Sequence, residues 1–336
     1  NMDRVNKNEQ KKVLVIRFSS IGDIVLTSPI IRALKSSGFQ VDYVVKRKFK
    51  NAIENNQNVY KLFTLEQEGL REELLTQKYS LVVDLQNNLK SLRLRKGLSD
   101  NIRVVNKENI KKLLLVHSGI DALNNQHIVE RYFKALDDIG IKEDGEGLDF
   151  YIPKNFKLEN KSITFNLSEP FIAWIIGASY PKKILPMAHV IKICNELKLP
   201  IAIIGGPEDE ANGNEIIHSV RHQNVNNLCG KLTLMESAFI VKVSSLVLSN
   251  DTGLMHIASA FDKKIISFWG CTKPSLGMSP FRPNSSSIAI VSDSHKAPCS
   301  KLGNRCKSKK NNCIEDIQPE EVLESVQRLL NIQLDR

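Results

Sequence analysis

Residues 246–260 of this 336-residue chain form an apolar strand pattern that runs directly into a polar, glycine-containing turn and then a helix. The first turn of a helix carries unpaired N–H groups and the positive end of the helix dipole, which together attract anions. Gly253 has no side chain at the point where a phosphate would approach the backbone. Thr252 and His256 lie four residues apart, so both side chains can face one ligand. The alternative is that Asp251 simply caps the helix and that His256 is a satisfied structural histidine.

A second junction of the same kind lies near the start of the chain. Residues 13–18 form a continuous apolar strand rich in Val and Ile, which is typical of a parallel sheet covered on both faces. A polar turn at 19–23 and a helical pattern at 24–34 follow, and Pro29 inside that pattern predicts a kinked or delayed helix. A carboxylate is stabilised in the first helical turn, so we expect Asp23 to be ionised near neutral pH and able to accept a proton. On these residues alone, helix capping by Asp23 is the simpler interpretation.

Strand and helix patterns alternate in both halves of the chain. Such alternation indicates parallel sheets built from right-handed βαβ units. Ligands of these sheets bind outside the carboxyl ends of the strands, which is where Asp23 and Asp251 both fall. The strand candidates are residues 13–18, 41–45, 59–65, 80–86 and 101–105 in the first half, and 171–176, 201–204, 245–249, 264–268 and 288–291 in the second.

We predict an α/β fold of two doubly wound, Rossmann-like domains that face each other across a cleft. Charged sequence with Gly and Pro, from about residue 144 to residue 168, indicates the linker. The first domain then covers residues 1–155 and the second covers residues 165–316. A final helix is predicted from Pro319 to about Ile332, because proline and acidic side chains occupy its first turn.

The charge balance narrows the class of partner. The chain carries 47 basic and 37 acidic residues, and its net charge of +10 favours nucleic acid, membrane head groups or an acidic glycolipid. With 6% aromatic residues and no nucleic-acid-binding motif, we expect no nucleic-acid partner. No apolar run approaches the ~20 residues that span a bilayer, and no signal peptide is apparent. We therefore expect a cytoplasmic protein that at most rests on the cytoplasmic face of the inner membrane.

Several segments, in collinear order over nearly the whole chain, resemble glycosyltransferase family 9, the bacterial ADP-heptose:lipopolysaccharide heptosyltransferases. Residues 17–29 resemble the N-terminal signature of that family, and residues 249–258 resemble its donor-binding signature. The resemblance implies the GT-B fold, with an acceptor-binding first domain and a nucleotide-sugar-binding second domain. It also implies that the C-terminal helix over residues 317–336 packs back on the first domain. Further matches lie at residues 83–91, 128–132 and 205–210.

The resemblance implies an activity and a base. The activity is transfer of a heptose, or a related sugar, from an ADP-sugar to a hydroxyl of an acidic lipopolysaccharide core acceptor, by inverting displacement. Asp23 would take the proton from the acceptor hydroxyl, with Ser20 and Gly22 of the same turn at the acceptor. The family is metal-independent, so we expect no cofactor and activity in EDTA.

The resemblance also assigns a donor site. Lys183 matches the family lysine that contacts the donor phosphate, and Asp209 matches the acidic position associated with the nucleoside. The segment around this lysine, residues 178–186, is called the lysine segment. Family members often carry a Thr-Thr pair and a Trp there, where this chain has Ala178, Ser179 and Leu185. These departures leave the donor sugar open. The remaining donor-binding candidates are Ser179, Asp251, Thr252, Gly253 and His256.

The basic segment at residues 90–96 follows a strand end in the first domain. It could hold phosphates or acidic sugars of a lipopolysaccharide core. Leu92 and Leu94 interleave with the charges, which fits a solvated helix face instead. The position of the segment in the family favours acceptor binding by Lys90 and Arg93.

Cys299, Cys306 and Cys313 are evenly spaced, and His295 lies just upstream. Four soft ligands in a lysine-rich loop could hold a structural zinc ion. The gaps between the cysteines lack the Cys-x₂-Cys knuckle that is usual in zinc sites, and disulfides are not expected in a reducing compartment. We therefore interpret the cysteines as a loop feature of unknown role, with zinc as the less favoured alternative.

Two other classes of function compete with a transferase. A non-catalytic nucleotide-sugar-binding protein of the same fold would have no need of Asp23, which this chain keeps. A nicotinamide-dependent oxidoreductase or a nucleotide-sugar epimerase would place a Gly-x-Gly-x-x-Gly turn after a strand, and no strand candidate is followed by one. A transferase that uses a different nucleotide sugar remains open.

Overall fold

The computed structural model describes residues 10–159, 162–222, 224–309 and 311–332. The chain divides into two compact units. Unit 1 contains the described residues up to Lys107 together with Ile128–Glu146. Unit 2 contains Glu108–His127 and the described residues from Gly147 onward. Nothing in the sequence pattern indicated that Glu108–His127 would pack with unit 2, and the domain spans 1–155 and 165–316 stay predictions.

Unit 1 is a five-stranded, all-parallel sheet in the order β3-β2-β1-β4-β5. This is a doubly wound order, and its topological switch point lies between β1 and β4. Residues 13–16 of β1 are completely buried, as the apolar run predicted for a strand covered on both faces. The strands are β1 (Lys12–Ile16), β2 (Gln40–Val45), β3 (Lys61–Thr64), β4 (Leu81–Asp84) and β5 (Ile102–Val104).

The helices of unit 1 include a break that the sequence predicted. Pro29 falls in the first turn of a new helix, so the helical pattern after β1 splits in two. At the break, Thr27 Oγ1 donates to the Ile24 carbonyl oxygen at 2.6 Å. Helix α5 (Asn109–Ser118) lies in the segment that belongs to unit 2. The helices of unit 1 are α1 (Ile21–Val25), α2 (Ser28–Ser36), α3 (Leu70–Thr76), α4 (Leu89–Arg95) and α6 (Ile128–Lys134), with 3₁₀ turns at Arg47–Ala52 and Asp137–Ile139.

Unit 2 is a six-stranded parallel sheet in the order β11-β10-β9-β6-β7-β8. Its switch point lies between β6 and β9, where the order of the strands reverses as in dinucleotide-binding folds. Both tryptophans, Trp174 and Trp269, are buried in its core. The strands are β6 (Ile172–Ile175), β7 (Ile201–Ile204), β8 (Val225–Asn227), β9 (Leu246–Asn250), β10 (Ile265–Trp269) and β11 (Ile288–Val291).

The helices of unit 2 cover both faces of its sheet. The last of them, α11 (Pro319–Leu330), begins with Pro319 as predicted and packs against α7 (Met187–Glu196) and β10. Its packing on the first domain stays a prediction, and residues 333–336 lie outside the described residues. Among the described residues, no helix is both long enough and apolar enough to cross a bilayer. Besides α5, the described helices of unit 2 are α7 (Met187–Glu196), α8 (Glu210–Ser219), α9 (Leu234–Val243), α10 (Gly253–Ala260) and α11 (Pro319–Leu330), with 3₁₀ turns at Pro181–Lys183, Pro207–Asp209, Pro274–Leu276 and Cys313–Asp316.

Candidate active site

Asp23 lies on α1, directly after β1 and therefore at the switch point of the unit 1 sheet. Its Oδ2 accepts the Ser20 backbone N–H at 3.1 Å and the Ser20 hydroxyl at 2.9 Å, so the carboxylate does cap the start of the helix. Its Oδ1 lies 2.8 Å from Arg17 Nη2, and the side chain stays 23% exposed. The capping contact and solvent access are both present, so Asp23 can stabilise α1 and still be reached by a substrate hydroxyl.

Arg17 is a site residue that the sequence pattern did not single out. It lies just past β1 and donates to the Ser19 carbonyl at 2.8 Å and to the Leu85 carbonyl at 2.8 Å, which fixes its guanidinium beside Asp23. Burial opposes the charge of Arg17, but Tyr132, Asp23 and Tyr43 outweigh it and raise the pKa of the guanidinium above its usual value. Arg17 therefore stays a fixed cation next to the candidate base. The pairing depends on a carbonyl 68 residues away in the chain, so no local pattern could have revealed it.

The two other residues predicted at this turn differ in exposure. Ser20 is exposed and is the N-cap residue of α1, so its hydroxyl faces solvent as well as Asp23. Gly22 is buried inside the helix, and its carbonyl accepts the N–H of Leu26 at 2.9 Å. Gly22 thus offers backbone rather than a side-chain group at the site.

Lys90 and Arg93 are exposed on α4, which begins after β4, the neighbour of β1. Asn88 caps this helix by accepting the Ser91 N–H at 2.9 Å. Leu94 is buried in the unit 1 core, so α4 turns one apolar edge inward and leaves its cations in solvent. The cations border a pocket of about 460 Å³ lined by Lys46, Leu65, Glu66, Arg71, Lys90, Arg93 and Leu94.

In unit 2, Lys183 and Asp251 form an ion pair at the switch point between β6 and β9. Lys183 Nζ donates to Asp251 Oδ2 at 2.7 Å, and the two side chains are only 13% and 12% exposed. The Thr272 hydroxyl donates to the same oxygen at 3.0 Å. The ammonium group is therefore held in one place before any ligand arrives.

Asn250, the last residue of β9, fastens the lysine segment to the sheet. Its Oδ1 accepts the Leu185 N–H at 3.1 Å, and its Nδ2 donates to the Ile176 carbonyl at 2.8 Å. Leu185, one of the departures from the family pattern, is buried in the unit 2 core. Ser179, in the same loop, is exposed. Asn250 was not predicted as a positioning residue, although it lies within the donor-binding signature.

The helix that follows Asp251 begins as predicted, but its cap differs from the simpler interpretation of that segment. Thr252, not Asp251, is the N-cap residue of α10, and its hydroxyl makes no capping hydrogen bond. Asp251 instead pairs with Lys183. Gly253 opens the helix, and His256 is buried one turn later. The start of α10 thus places main-chain N–H groups and the positive helix end beside the lysine.

Asp209 closes a 3₁₀ turn after β7, where its Oδ2 accepts the Gly206 N–H at 2.9 Å. A β-carbon on Gly177 would lie 2.1 Å from Asp209 Oδ2, and one on Gly205 would lie 2.7 Å from Asp209 Cβ, so both positions need glycine. Burial raises the pKa of Asp209, the Gly206 N–H partly counteracts this, and Glu208 adds to the rise. The native state therefore binds the proton of the Asp209 carboxyl group more tightly than the unfolded state does. The contribution of Asp209 to the free energy of unfolding falls as the pH rises above 3.8, the ordinary pKa of this group.

The three cysteines predicted as a loop feature come together. Cys313 Sγ lies 3.3 Å from Cys299 Sγ and 3.3 Å from Cys306 Sγ. Their fourth neighbour is Cys271, and His295 is not part of the group. Cys271 follows β10, which places it 28 residues before Cys299 in the chain and outside the evenly spaced run.

Comparisons with known proteins agree with this architecture. A sequence model of glycosyltransferase family 9 (heptosyltransferase) matches residues 68–310. Lipopolysaccharide heptosyltransferase 1 of Campylobacter coli is 26% identical, over 95% of this chain and 98% of that protein. Lipopolysaccharide heptosyltransferase 2 of Escherichia coli K12 is 23% identical, also over 95% of this chain and 98% of its own length.

Solved structures support the fold. A glycosyl transferase family 9 protein from Veillonella parvula matches with a TM-score of 0.76 at 17% identity, over 97% of this chain and 98% of that chain. E. coli ADP-heptose lipopolysaccharide heptosyltransferase II matches with a TM-score of 0.69 at 20% identity, over 95% of this chain and 98% of its own. These likenesses confirm the predicted GT-B fold class.

Proposed function

This chain belongs to glycosyltransferase family 9, and on that premise we propose that it moves a heptose, or a related sugar, from an ADP-sugar to a hydroxyl of a lipopolysaccharide core acceptor. The observation that carries the proposal is the partly buried Lys183–Asp251 pair beside the start of α10. A preorganised cation at a helix N-terminus is suited to the diphosphate of a nucleotide sugar. A cytoplasmic location and peripheral contact with the inner membrane stay predictions.

On the donor side, we propose that Lys183 stabilises the negative charge that gathers on the diphosphate as the glycosidic bond breaks. Asp251 holds the ammonium in place, and the N–H groups around Thr252 and Gly253 add hydrogen-bond donors. His256 and Ser179 belong to the same proposed site. These groups supply positive charge without a metal ion, so the proposed transfer needs no divalent cation.

Asp209 is proposed to accept hydrogen bonds from the ribose hydroxyls of the nucleoside. Its turn lies directly against Gly177, where the loop that carries Ser179 and Lys183 begins. A carboxylate suits this role because it is an acceptor with several lone pairs. The fixed Gly206 contact keeps one oxygen oriented toward the turn.

On the acceptor side, we propose that Asp23 removes the proton of the attacking hydroxyl. The oxygen of the acceptor then attacks the anomeric carbon as the bond to the diphosphate breaks, and the proton passes to the carboxylate. Attack from the side opposite the leaving group inverts the configuration at that carbon. Arg17 keeps Asp23 in position, while Ser20 and Gly22 line the same turn.

The pocket beside α4 gives the acceptor proposal a test. Replacing both Lys90 and Arg93 by alanine should raise KM for a phosphorylated core acceptor about 30-fold, because two exposed charged contacts of about 1 kcal/mol each are lost. The affinity for ADP should not change, since ADP is assigned to unit 2. Lys142→Ala, which removes an exposed lysine elsewhere in unit 1, is the matched control. An unchanged KM for the acceptor would exclude α4 from acceptor binding.

The proposed function is tested by calorimetric titration of the purified protein with ADP, ADP-heptose, UDP and GDP. We expect ADP and ADP-heptose to bind with micromolar affinity and the other two nucleotides much more weakly. A transfer assay in EDTA, with ADP-heptose and a core acceptor that lacks heptose, should then yield glycosylated acceptor detectable by mass spectrometry.

Each other outcome favours a specific alternative. Equal binding of UDP or GDP would indicate a transferase that uses a different nucleotide sugar. Tight binding of ADP-heptose without transfer to any core acceptor would indicate a non-catalytic nucleotide-sugar-binding protein. No binding of adenine nucleotides would remove the heptosyl proposal and leave only the family and the fold.

A further inference from the structure

Four thiols from separate parts of unit 2 converge on one point. The Sγ atoms of Cys271, Cys299, Cys306 and Cys313 all lie within 4.8 Å of one another, and all four cysteines are free. In a tetrahedral site with metal–sulfur bonds of ~2.3 Å, neighbouring sulfurs lie about 3.8 Å apart. The sulfur–sulfur distances in this cluster run from 3.3 Å to at most 4.8 Å, a range that includes the distance expected for four thiolates around one metal ion. We propose that these four cysteines bind one divalent metal ion of the zinc class as a structural site.

The backbone presents the four sulfurs in a fixed arrangement. Cys271 lies two residues beyond β10, and its carbonyl accepts the Cys299 N–H at 2.8 Å, which ties the loop to the end of the sheet. Cys313 starts a 3₁₀ turn whose N-terminus is capped by Glu315, which accepts the Asn312 N–H at 3.2 Å. One ligand thus lies on a 3₁₀ turn, and another is tied to the loop just beyond a strand.

A buried lysine lies close to the cluster in the chain. Lys273, two residues after Cys271, is 3% exposed, and its Nζ donates to the Ser292 carbonyl at 2.5 Å. Four thiolates around a divalent cation carry excess negative charge, and a buried ammonium offsets part of it.

A cluster of neutral thiols and a disulfide are the two alternatives to a metal site. Free cysteines pack as small apolar side chains, so a cluster of neutral thiols would bind no metal. Oxidation would join two of the sulfurs at about 2.05 Å and leave fewer than six free thiols in the chain. Only metal binding predicts six thiols together with one equivalent of metal.

The proposed metal has a structural task that explains its position. Between β11 and the Cys313–Asp316 turn, the described residues of 292–312 form neither helix nor strand. Loops longer than about 12–15 residues without secondary structure of their own are uncommon in compact domains. A β-carbon on Gly303 of this loop would lie 2.7 Å from Lys183 Cε, so the loop packs directly on the donor-site lysine. Lys182 Nζ also donates to Asn312 Oδ1 at 3.3 Å. The metal would hold this loop against the lysine segment.

Metal analysis of the untagged, full-length protein tests the proposal directly. We expect elemental mass spectrometry to find about one zinc or iron per chain, and thiol titration in denaturant with chelator to count all six cysteines. Replacement of the metal by Co²⁺ should give the sulfur-to-cobalt charge-transfer absorption of a tetrahedral thiolate site. Zinc and iron both support the site, and the elemental spectrum distinguishes them.

Variants separate the cluster from the other thiols. Cys306→Ser, at the most exposed ligand, and Cys313→Ser should each reduce the metal content to less than a tenth of an equivalent. Cys194→Ser removes a buried thiol of α7 outside the cluster and should keep the full equivalent. Trypsin should cleave the loop at Lys301, Arg305 or Lys307 faster in metal-stripped protein than in metal-loaded protein. This readout does not depend on transferase activity.

Two results would overturn the proposal. The first is a metal content below a tenth of an equivalent after the reduced protein has been loaded with Zn²⁺ without oxygen. The second is a full equivalent of metal that Cys306→Ser and Cys313→Ser both retain as well as Cys194→Ser does. Neither result bears on the donor or acceptor proposals, because nucleotide binding and sugar transfer are measured separately.

Discussion

Replacing Asp23 by asparagine should lower the rate of sugar transfer by about 10²–10⁴-fold, the usual contribution of a general base. Asparagine keeps a carbonyl oxygen in the place of the carboxylate, so it can still accept the Ser20 N–H and hydroxyl. It cannot take a proton from the acceptor. The charge partner of Arg17 is also lost, but the Ser19 and Leu85 carbonyls still hold the guanidinium. We therefore expect a folded, moderately destabilised protein with very low activity.

The measurement pairs kcat with the free energy of unfolding in urea, at a temperature where every variant is folded. Thr233→Ala is the matched control, because Thr233 caps α9 by accepting the Glu236 N–H at 3.2 Å and lies outside both proposed sites. It should lose about 1 kcal/mol of stability and keep the wild-type kcat. If Asp23→Asn lost the same stability as Thr233→Ala and kept a similar kcat, Asp23 would be a helix cap and no base.

Local sequence predicted the strand that leads to Asp23, the turn and the helix break, because each depends on near neighbours. Apolar runs mark the buried strands, and a proline such as Pro29 is tolerated in the first turn of a helix but breaks the hydrogen bonds of a helix interior. The position of Arg17 beside Asp23 could not be predicted in the same way. It depends on the Leu85 carbonyl, which the chain after β4 supplies. By its local sequence alone, a strand-end arginine looks like an ordinary surface cation.

The same distinction applies in unit 2. The short strand β8, Val225–Asn227, was not predicted because two of its three residues are asparagines that carry no apolar pattern. The Lys183–Asp251 contact joins residues 68 positions apart, and family resemblance rather than spacing placed both at the donor. Cys271 was not predicted as a member of the cysteine cluster because it lies far outside the evenly spaced run. Convergence of ligands from the end of β10 and a distant loop is a property of the fold, not of any window of sequence.

Replacing Lys183 by alanine should weaken ADP binding about 10- to 100-fold, since a charge-assisted hydrogen bond to phosphate is worth about 1.5–3 kcal/mol. Two effects combine. The ammonium no longer attracts the diphosphate, and Asp251 keeps the Thr272 hydroxyl but loses its cationic partner, so its negative charge opposes the incoming phosphates. Adenosine, which carries no phosphate, should bind Lys183→Ala as well as it binds wild type.

Calorimetry with ADP and adenosine separates these effects. Lys182→Ala is the matched control, because the neighbouring lysine contacts Asn312 rather than Asp251 and should keep wild-type affinity for ADP. The double variant Lys183→Ala/Asp251→Asn removes the unopposed carboxylate, and we expect it to bind ADP more tightly than Lys183→Ala alone. If Lys182→Ala weakened ADP binding as much as Lys183→Ala, or if adenosine affinity fell in parallel, general positive charge or loss of folding would account for the result. A selective loss confined to Lys183 and to phosphate-bearing ligands would instead identify its ammonium as the cation that receives the leaving diphosphate.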